Sequence, residues 1–459
     1  MGLLFYPRGG SAHVARNLAR ALPGSGWDVT VLTGSLTLPD RPGDARAFYR
    51  GVDVRPVDMT AAWQAPDPLA ANPPLHPSYE DRTDAPDGVF AALDDAQAEH
   101  QVAAWASLLR SVDAAEAHVL HLHHLTPLNE AAARVAPGVP IVGHLHGTEL
   151  LMLEAIEADP GRWAHGPAWA ERLRGWAAAC ERLVVLSATQ VARAERLLGI
   201  DPARCVRVPN GFDPAVFHPR HVDHLALWRR HLVEAPQGWQ PGGEAGSVAY
   251  AERDLAAFAD AEGETPVLLY VGRFTEVKRL PLLIEAYARA QPGFTRRAPL
   301  VIVGGFPGEW EGEHPLGAVR RVGARDVFLA GWHEHDALAD VLAASDVVVL
   351  PSVREQFGQV IVEGMACGLP AIAVDAHGPA EIVRHGETGW LVEPDDPVAL
   401  ANALVEAVNR PRERLRRGAN AAADARARFA WPALAARVAE VYDAARGERR
   451  ADAELLAGA

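Results

Sequence analysis

Pro351-Ser352-Val353-Arg354-Glu355-Gln356-Phe357-Gly358-Gln359-Val360-Ile361-Val362-Glu363-Gly364-Met365-Ala366 follows the apolar run Val347–Leu350, and its reading decides the fold. A short apolar run, a polar loop and then an apolar stretch at helical spacing read as buried parallel strand, loop and helix. The helix opens at Gly358, so free backbone N–H groups and the positive end of the helix dipole face whatever sits before it. Two carboxylates bracket that place, Glu355 in the loop and Glu363 on the helix. Carboxylates repel phosphate, so both are expected to accept hydrogen bonds from hydroxyls on either side of an anion. Hydroxyls, phosphate and hydroxyls again describe a nucleotide sugar. Two solvated glutamates at a helix start would fit the same letters, and the surrounding chain has to separate the two readings.

Outward from this stretch, the second half repeats one unit. Strands are expected at Val267–Val271, Leu300–Val303, Val327–Ala330, Val347–Leu350, Ala371–Val374 and Trp390–Val392, with helices between them such as Leu280–Ala290 and Pro397–Val408. The first half does the same. Its strands read as Gly2–Tyr6, Trp27–Leu32, Val52–Val57, His118–His124, Val139–His144, Arg182–Ser187 and Cys205–Val208, with helices at Ala12–Leu22 and Val89–Ser111. Alternating strand and helix implies an α/β fold with two doubly wound parallel sheets. The expected division is a first domain over 1–217, a connector or insertion over 218–264, and a second domain over 265–428. A last amphipathic helix covers 429–445, and the chain from Arg446 onward reads as a frayed tail.

The chain has 459 residues, too many for one ordinary core. About half are hydrophobic and the formal charge is −15, which opposes binding to nucleic acid or docking on an anionic membrane. Three scattered cysteines, Cys180, Cys205 and Cys367, have neither metal nor redox spacing, and a reducing cytoplasm is expected. No apolar run approaches a membrane span, and no leader is read at the start. At most, peripheral membrane contact is expected.

Lys278 is the only lysine among 44 basic residues. Where every other cation is arginine, a single lysine marks a site that wants a compact ammonium instead of a planar fork. It lies with Arg273 in Gly272-Arg273-Phe274-Thr275-Glu276-Val277-Lys278-Arg279, after the second domain's first strand. Parallel strands present such loops on one edge, so Arg273, Lys278, Glu355 and Glu363 can converge there. Two cations and a helix N-terminus match a diphosphate and stabilise it as it departs.

In the first half, Pro7-Arg8-Gly9-Gly10-Ser11 is a turn that lets a ligand approach backbone closely. Met59–Gly88 is proline-rich and long, and is expected to be a lid or acceptor loop. His121 and His123 share a strand face, as do His144 and His146, which is the alternation metal ligands need. No carboxylate or cysteine joins them at ligand spacing, so no metal and no other cofactor is expected. His146, at a strand's C-terminal end, is placed for substrate contact; His13 and His144 are candidates on the acceptor side.

These motifs resemble the retaining glycosyltransferases of family four, which have the GT-B fold of two Rossmann-like domains facing a cleft. Gly9-Gly10, His146, Asn210-Gly211-Phe212-Asp213, Gly272-Arg273 with Lys278, and Glu355, Phe357-Gly358 and Glu363 carry the resemblance over nearly the whole chain. It implies transfer of a sugar from a nucleoside diphosphate donor, with UDP, GDP and ADP all open, to a small-molecule, glycan or lipid acceptor. Glu355 would hold donor sugar hydroxyls and Glu363 the ribose. Arg273 and Lys278 would neutralise the diphosphate with the amides at Phe357 and Gly358. Gly9 and Gly10 would approach the donor from the first domain, His146 would meet the sugar near its reacting carbon, and the last helix would brace the first domain. His377-Gly378-Pro379-Ala380-Glu381 departs from the family's glycine pair before Pro-Glu, so sugar contacts there are expected to differ. A nucleotide-sugar epimerase, a sugar-binding protein without catalysis and a phosphorylase with a lysine-bound cofactor are the rival readings.

Overall fold

A computed structural model describes residues 1–7, 9–38, 43–80 and 86–457, without the side chains of 335, 336 and 450–457. Arg8 and residues 81–85 of the proline-rich stretch lie outside the described residues. The chain divides into two units, one of Met1–Asn210 with Trp431–Ala459 and one of Gly211–Ala430.

The first unit is built on seven strands: β1 (Gly2–Leu3), β2 (Thr30–Ser35), β3 (Asp53–Asp58), β4 (Leu120–His123), β5 (Ile141–His144), β6 (Arg182–Val185) and β7 (Cys205–Arg207). Their spatial order is β3-β2-β1-β4-β5-β6-β7, with all neighbours parallel. The order reverses between β1 and β4, which makes that gap the switch point where such sheets bind ligands. Side chains of the central strands β1, β4 and β5 bury on both faces. On one face Val142 and Val184 meet Val14 and Leu18 of helix Gly9–Ala21 together with Leu434, Val438 and Tyr442 of the last helix. That helix runs Trp431–Ala457, well past the expected frayed end. Arg446 stacks over Trp27, and Arg449 pairs with Glu181, so the turn over 446–449 has partners.

The proline-rich stretch is no free flap in its described part. Leu75, His76 and Tyr79 are buried, and His76 and Tyr79 pack edge-on against Phe5.

In the second unit, a small hairpin of β8 (Ala259–Asp260) and β9 (Gly263–Glu264) precedes six strands: β10 (Leu268–Val271), β11 (Leu300–Val303), β12 (Val327–Gly331), β13 (Val347–Leu350), β14 (Ala371–Val374) and β15 (Gly389–Val392). Their order is β12-β11-β10-β13-β14-β15, again parallel throughout. The continuous apolar runs Leu-Val-Ile-Val, Val-Val-Val-Leu and Ala-Ile-Ala-Val are fully buried, as strands covered on both faces must be. The switch point falls between β10 and β13, so the loops after those two strands become neighbours.

The segment 218–264, expected as a connector or insertion, belongs to the second unit. Its apolar anchors are too far apart to show periodicity. Trp228 donates to Ala344 O at 3.2 Å, Trp239 to Gly305 O at 2.9 Å, and Tyr250 Oη accepts from Leu329 N at 2.8 Å. Gln237 bridges to Gly331, so the segment covers the open edge of β12. Gly331 is required there, because a Cβ would sit 1.9 Å from Gln237 O.

Candidate active site

Three loops meet at the C-terminal edge of the second sheet. After β10 the chain makes a tight turn over Glu276–Lys278, with Arg279 at φ 55°. After β13, Val353 N donates to Val277 O at 3.0 Å and Ser352 Oγ to the same carbonyl at 3.2 Å, which ties the second loop to the first. After β14, Gly378 N donates to Glu355 O at 3.1 Å. These bonds bring Lys278 against Glu355: Nζ and Oε2 form an ion pair, each side chain 18% exposed. Two of the four charged residues read from the sequence thus touch directly.

Arg273 lies on the same loop and is exposed, its carbonyl held by the Tyr270 hydroxyl at 2.9 Å. Burial, then the Glu355 charge, pushes the Tyr270 hydroxyl up, so it stays a neutral donor. Gly358 caps helix Gln359–Ala366 at φ 105°, a conformation that favours glycine. Phe357 is buried edge-on against Phe429. Glu363 is 2% exposed and accepts from Gln359 Nε2 at 2.9 Å; the same amide donates to Gly211 O at 2.9 Å. Glu363 is therefore held rigidly by its own helix rather than left as a solvated surface acid. Sequence reading missed Asp395, which grips Arg279 through both carboxylate oxygens at 2.7 and 3.1 Å and so pins the turn behind Lys278.

In the first unit, Gly9 opens its helix at φ 66°, and a Cβ at Gly9 or Gly10 would meet nothing within 4 Å. Among the described residues no neighbour crowds out a side chain at these positions, and only the positive φ of Gly9 favours glycine. His13 bonds Arg16 at 3.1 Å and lies edge-on to Phe48.

The histidines form a column. His123 and His144 are register partners on β4 and β5. His121 Nδ1 meets the Tyr442 hydroxyl at 2.6 Å, its Nε2 meets His144 Nδ1 at 3.1 Å, and His123 Nδ1 meets His146 Nε2 at 2.9 Å. Burial, then the neighbouring imidazoles, holds His121, His123 and His146 well below the ordinary histidine range, and burial with His124 holds His144 at about 3. The column is neutral at physiological pH. His144, expected on the acceptor side, is 1% exposed and sits inside this column. A carboxylate does reach the neighbourhood, five residues beyond His144: buried Glu149 pairs with His124 at 3.3 Å and accepts from His146 N at 2.8 Å.

The family model described as "Glycosyl transferases group 1" matches residues 253–424, and that for "Glycosyltransferase Family 4" matches 8–216. The chain belongs to the family 4 glycosyltransferases and is an enzyme of the GT-B fold class. Among its relatives is the D-inositol 3-phosphate glycosyltransferase of Thermomonospora curvata, 30% identical over 373 residues, 78% of this chain and 80% of that one. The enzyme of that name from Acidothermus cellulolyticus is 31% identical over 346 residues, covering 72% and 68%. In structure the chain resembles sucrose-phosphate synthase of Thermosynechococcus elongatus, with TM-score 0.64, 20% identity and coverage of 100% and 96%. It also resembles Anabaena HepE solved with UDP-glucose, at TM-score 0.62, 19% identity and coverage of 97% and 100%. Among the described residues no helix is long and apolar enough to cross a membrane.

Proposed function

We propose that the chain moves a sugar from a nucleoside diphosphate sugar to an acceptor hydroxyl and keeps the anomeric configuration. The observation that carries this reading is the Lys278–Glu355 pair on two loops flanking the switch point, ahead of a helix N-terminus. Lys278 and Arg273 neutralise the diphosphate, with help from the amides at Phe357 and Gly358. Glu355 takes hydroxyls of the donor sugar, and Glu363, already fixed by Gln359, takes the ribose. In the first unit, His146 contacts the donor sugar, Gly9 and Gly10 let backbone approach it, and His13 lies on the acceptor side.

In the reacting step the bond from the anomeric carbon to the leaving phosphate oxygen breaks. The acceptor oxygen bonds to the same face of that carbon, and its proton passes to the departing phosphate. Cations at the diphosphate stabilise the charge that builds there. No metal is assigned to this step, and the work is placed in the cytoplasm.

UDP-glucose bound to HepE and the inositol phosphate enzymes among the relatives support a UDP-sugar and a phosphorylated polyol as the first substrates to try. The test is a thermal-shift screen of UDP-, GDP- and ADP-sugars, followed by transfer to D-inositol 3-phosphate with the product anomer read by NMR. Selective binding stabilises the fold. Lys278→Ala should cut turnover about 10²- to 10³-fold. A folded Lys278→Ala chain with normal turnover would overturn the diphosphate assignment.

A further inference from the structure

We propose that the histidine column of the first unit is a metal site, in which His121, His123 and His144 together take one divalent cation of the zinc class. Each offers a ring nitrogen, and these nitrogens lie within 4.8 Å of one another. His121 Nε2 and His144 Nδ1 stand 3.1 Å apart. Two ligands of one tetrahedral zinc are about 3.3 Å apart, given Zn–N bonds of ~2.0–2.1 Å.

A column held only by hydrogen bonds accounts for part of the arrangement. It explains the His121–His144 and His123–His146 contacts, but leaves His123 Nε2, one of the ligand atoms, buried with no hydrogen-bond partner. Unpaired buried polar atoms are costly and call for an explanation such as an ion. The outer bonds suit ligation. Tyr442 holds His121 Nδ1, and His146 holds His123 Nδ1, which leaves Nε2 of each ring as the ligating atom.

The donor set selects the ion. Three imidazoles without carboxylate or thiolate suit zinc and its neighbours and exclude magnesium and calcium. Of the three histidines, His121 lines a cavity of about 620 Å³ at the strands' N-terminal edge, together with Tyr442, Asp28, Asp53, Asp113, Glu116 and Arg55. Its carboxylates outnumber its one guanidinium, a balance that draws cations inward. With His121, His123 and His144 at 2%, 0% and 1% exposure, the ion braces the strands behind His146 instead of meeting a sugar.

The experiment uses the full chain, stripped with a chelator and titrated with cobalt(II) alone. One equivalent should give the intense visible bands of a tetrahedral site, bleached by zinc. Calorimetry should show zinc bound about 10- to 100-fold more weakly by Tyr442→Phe, as for loss of an outer partner. His121→Gln and His123→Gln should each lose the bands, with folding checked by circular dichroism. Wild-type protein with no bands and no zinc uptake would overturn the assignment, and this arm decides even where a histidine variant does not fold. Uptake unchanged in folded His121→Gln and His123→Gln would overturn it too, since surface histidines would then hold the metal. No step of sugar transfer enters the readout, so the site stands or falls separately from the proposed reaction.

Discussion

Lys278 Nζ bonds Glu355 Oε2 across the two loops that flank the second unit's switch point. The cation proposed for the diphosphate and the carboxylate proposed for the sugar are therefore each other's partner before any substrate arrives. A diphosphate must compete with Glu355 for the ammonium, and the sugar's hydroxyls then satisfy the carboxylate as it turns away. Both charges are largely withdrawn from water, so neither is well solvated alone.

Glu355→Gln should separate the two roles. It frees Lys278 from a competing negative charge while removing the stronger acceptor for sugar hydroxyls. The nucleoside diphosphate of whichever donor the screen selects should then bind at least as tightly as to wild type, and transfer should fall by about 10²-fold or more. Calorimetry with that diphosphate and turnover with its sugar check the pair. Weaker diphosphate binding in the variant would mean that Glu355 positions Lys278 rather than competes for it.

Gly378 tests whether the three loops act as one body. A Cβ there would lie 2.3 Å from Phe357 O and 2.4 Å from Phe357 Cα, both backbone atoms that cannot swing aside. Gly378→Ala should push the 355–358 loop off its position, costing about 1–3 kcal/mol of stability and a larger share of activity. Denaturant unfolding and kcat measure the two. Full activity in this variant would show that the loop's position is not critical.

The second unit's sheet was nearly transparent to sequence reading, and its transparency has a cause. Strands covered on both faces need unbroken apolar runs, and Leu300–Val303, Val347–Leu350 and Ala371–Val374 lie where those runs predict. The first unit's strand β2 sits three residues later than expected, at Thr30–Ser35 instead of Trp27–Leu32, because Thr33, Gly34 and Ser35 are buried without being apolar. The helix Pro411–Phe429 escaped notice because arginines dominate it. Two of them, Arg414 and Arg417, are buried; they donate to Ala407 O and Gly389 O at 2.8 and 3.0 Å and pair with Asp346 and with Glu406 and Glu413. The histidine column was half legible: alternation along each strand was visible, but the register that sets His123 beside His144 belongs to the folded sheet.

Glu149 carries a structural prediction for the loop that presents His146. It is 0% exposed, accepts from His146 N and the Thr148 hydroxyl at 2.8 and 3.2 Å, and pairs with His124. Burial alone would raise its carboxyl, but His124 beside it and the backbone donors hold it below the usual carboxylate value. Glu149→Gln keeps the volume and loses the charge, and should cost about 3 kcal/mol. Urea unfolding followed in the first unit's tryptophans measures it; a change under ~0.5 kcal/mol would remove Glu149 from the load on this loop.

His314 sets a pH dependence in the second unit. Its Nδ1 accepts from Leu316 N at 3.3 Å at the start of helix Pro315–Val322, and its ring lies edge-on to Trp239 at 4.6 Å. Burial, then the Arg320 charge, lowers it to about 4, while an unfolded histidine titrates near 6.5. Between those values the unfolded chain binds the extra proton, so stability falls as pH drops from about 6.5 to about 4 and this contribution then levels off. His231, also lowered to about 4 by burial and by His333, adds to the same slope, so the wild-type curve alone is not diagnostic. His314→Asn keeps a capping acceptor and removes the titration. Unfolding midpoints of the two proteins should therefore converge as pH falls through this window, and parallel curves would show that His314 does not titrate there.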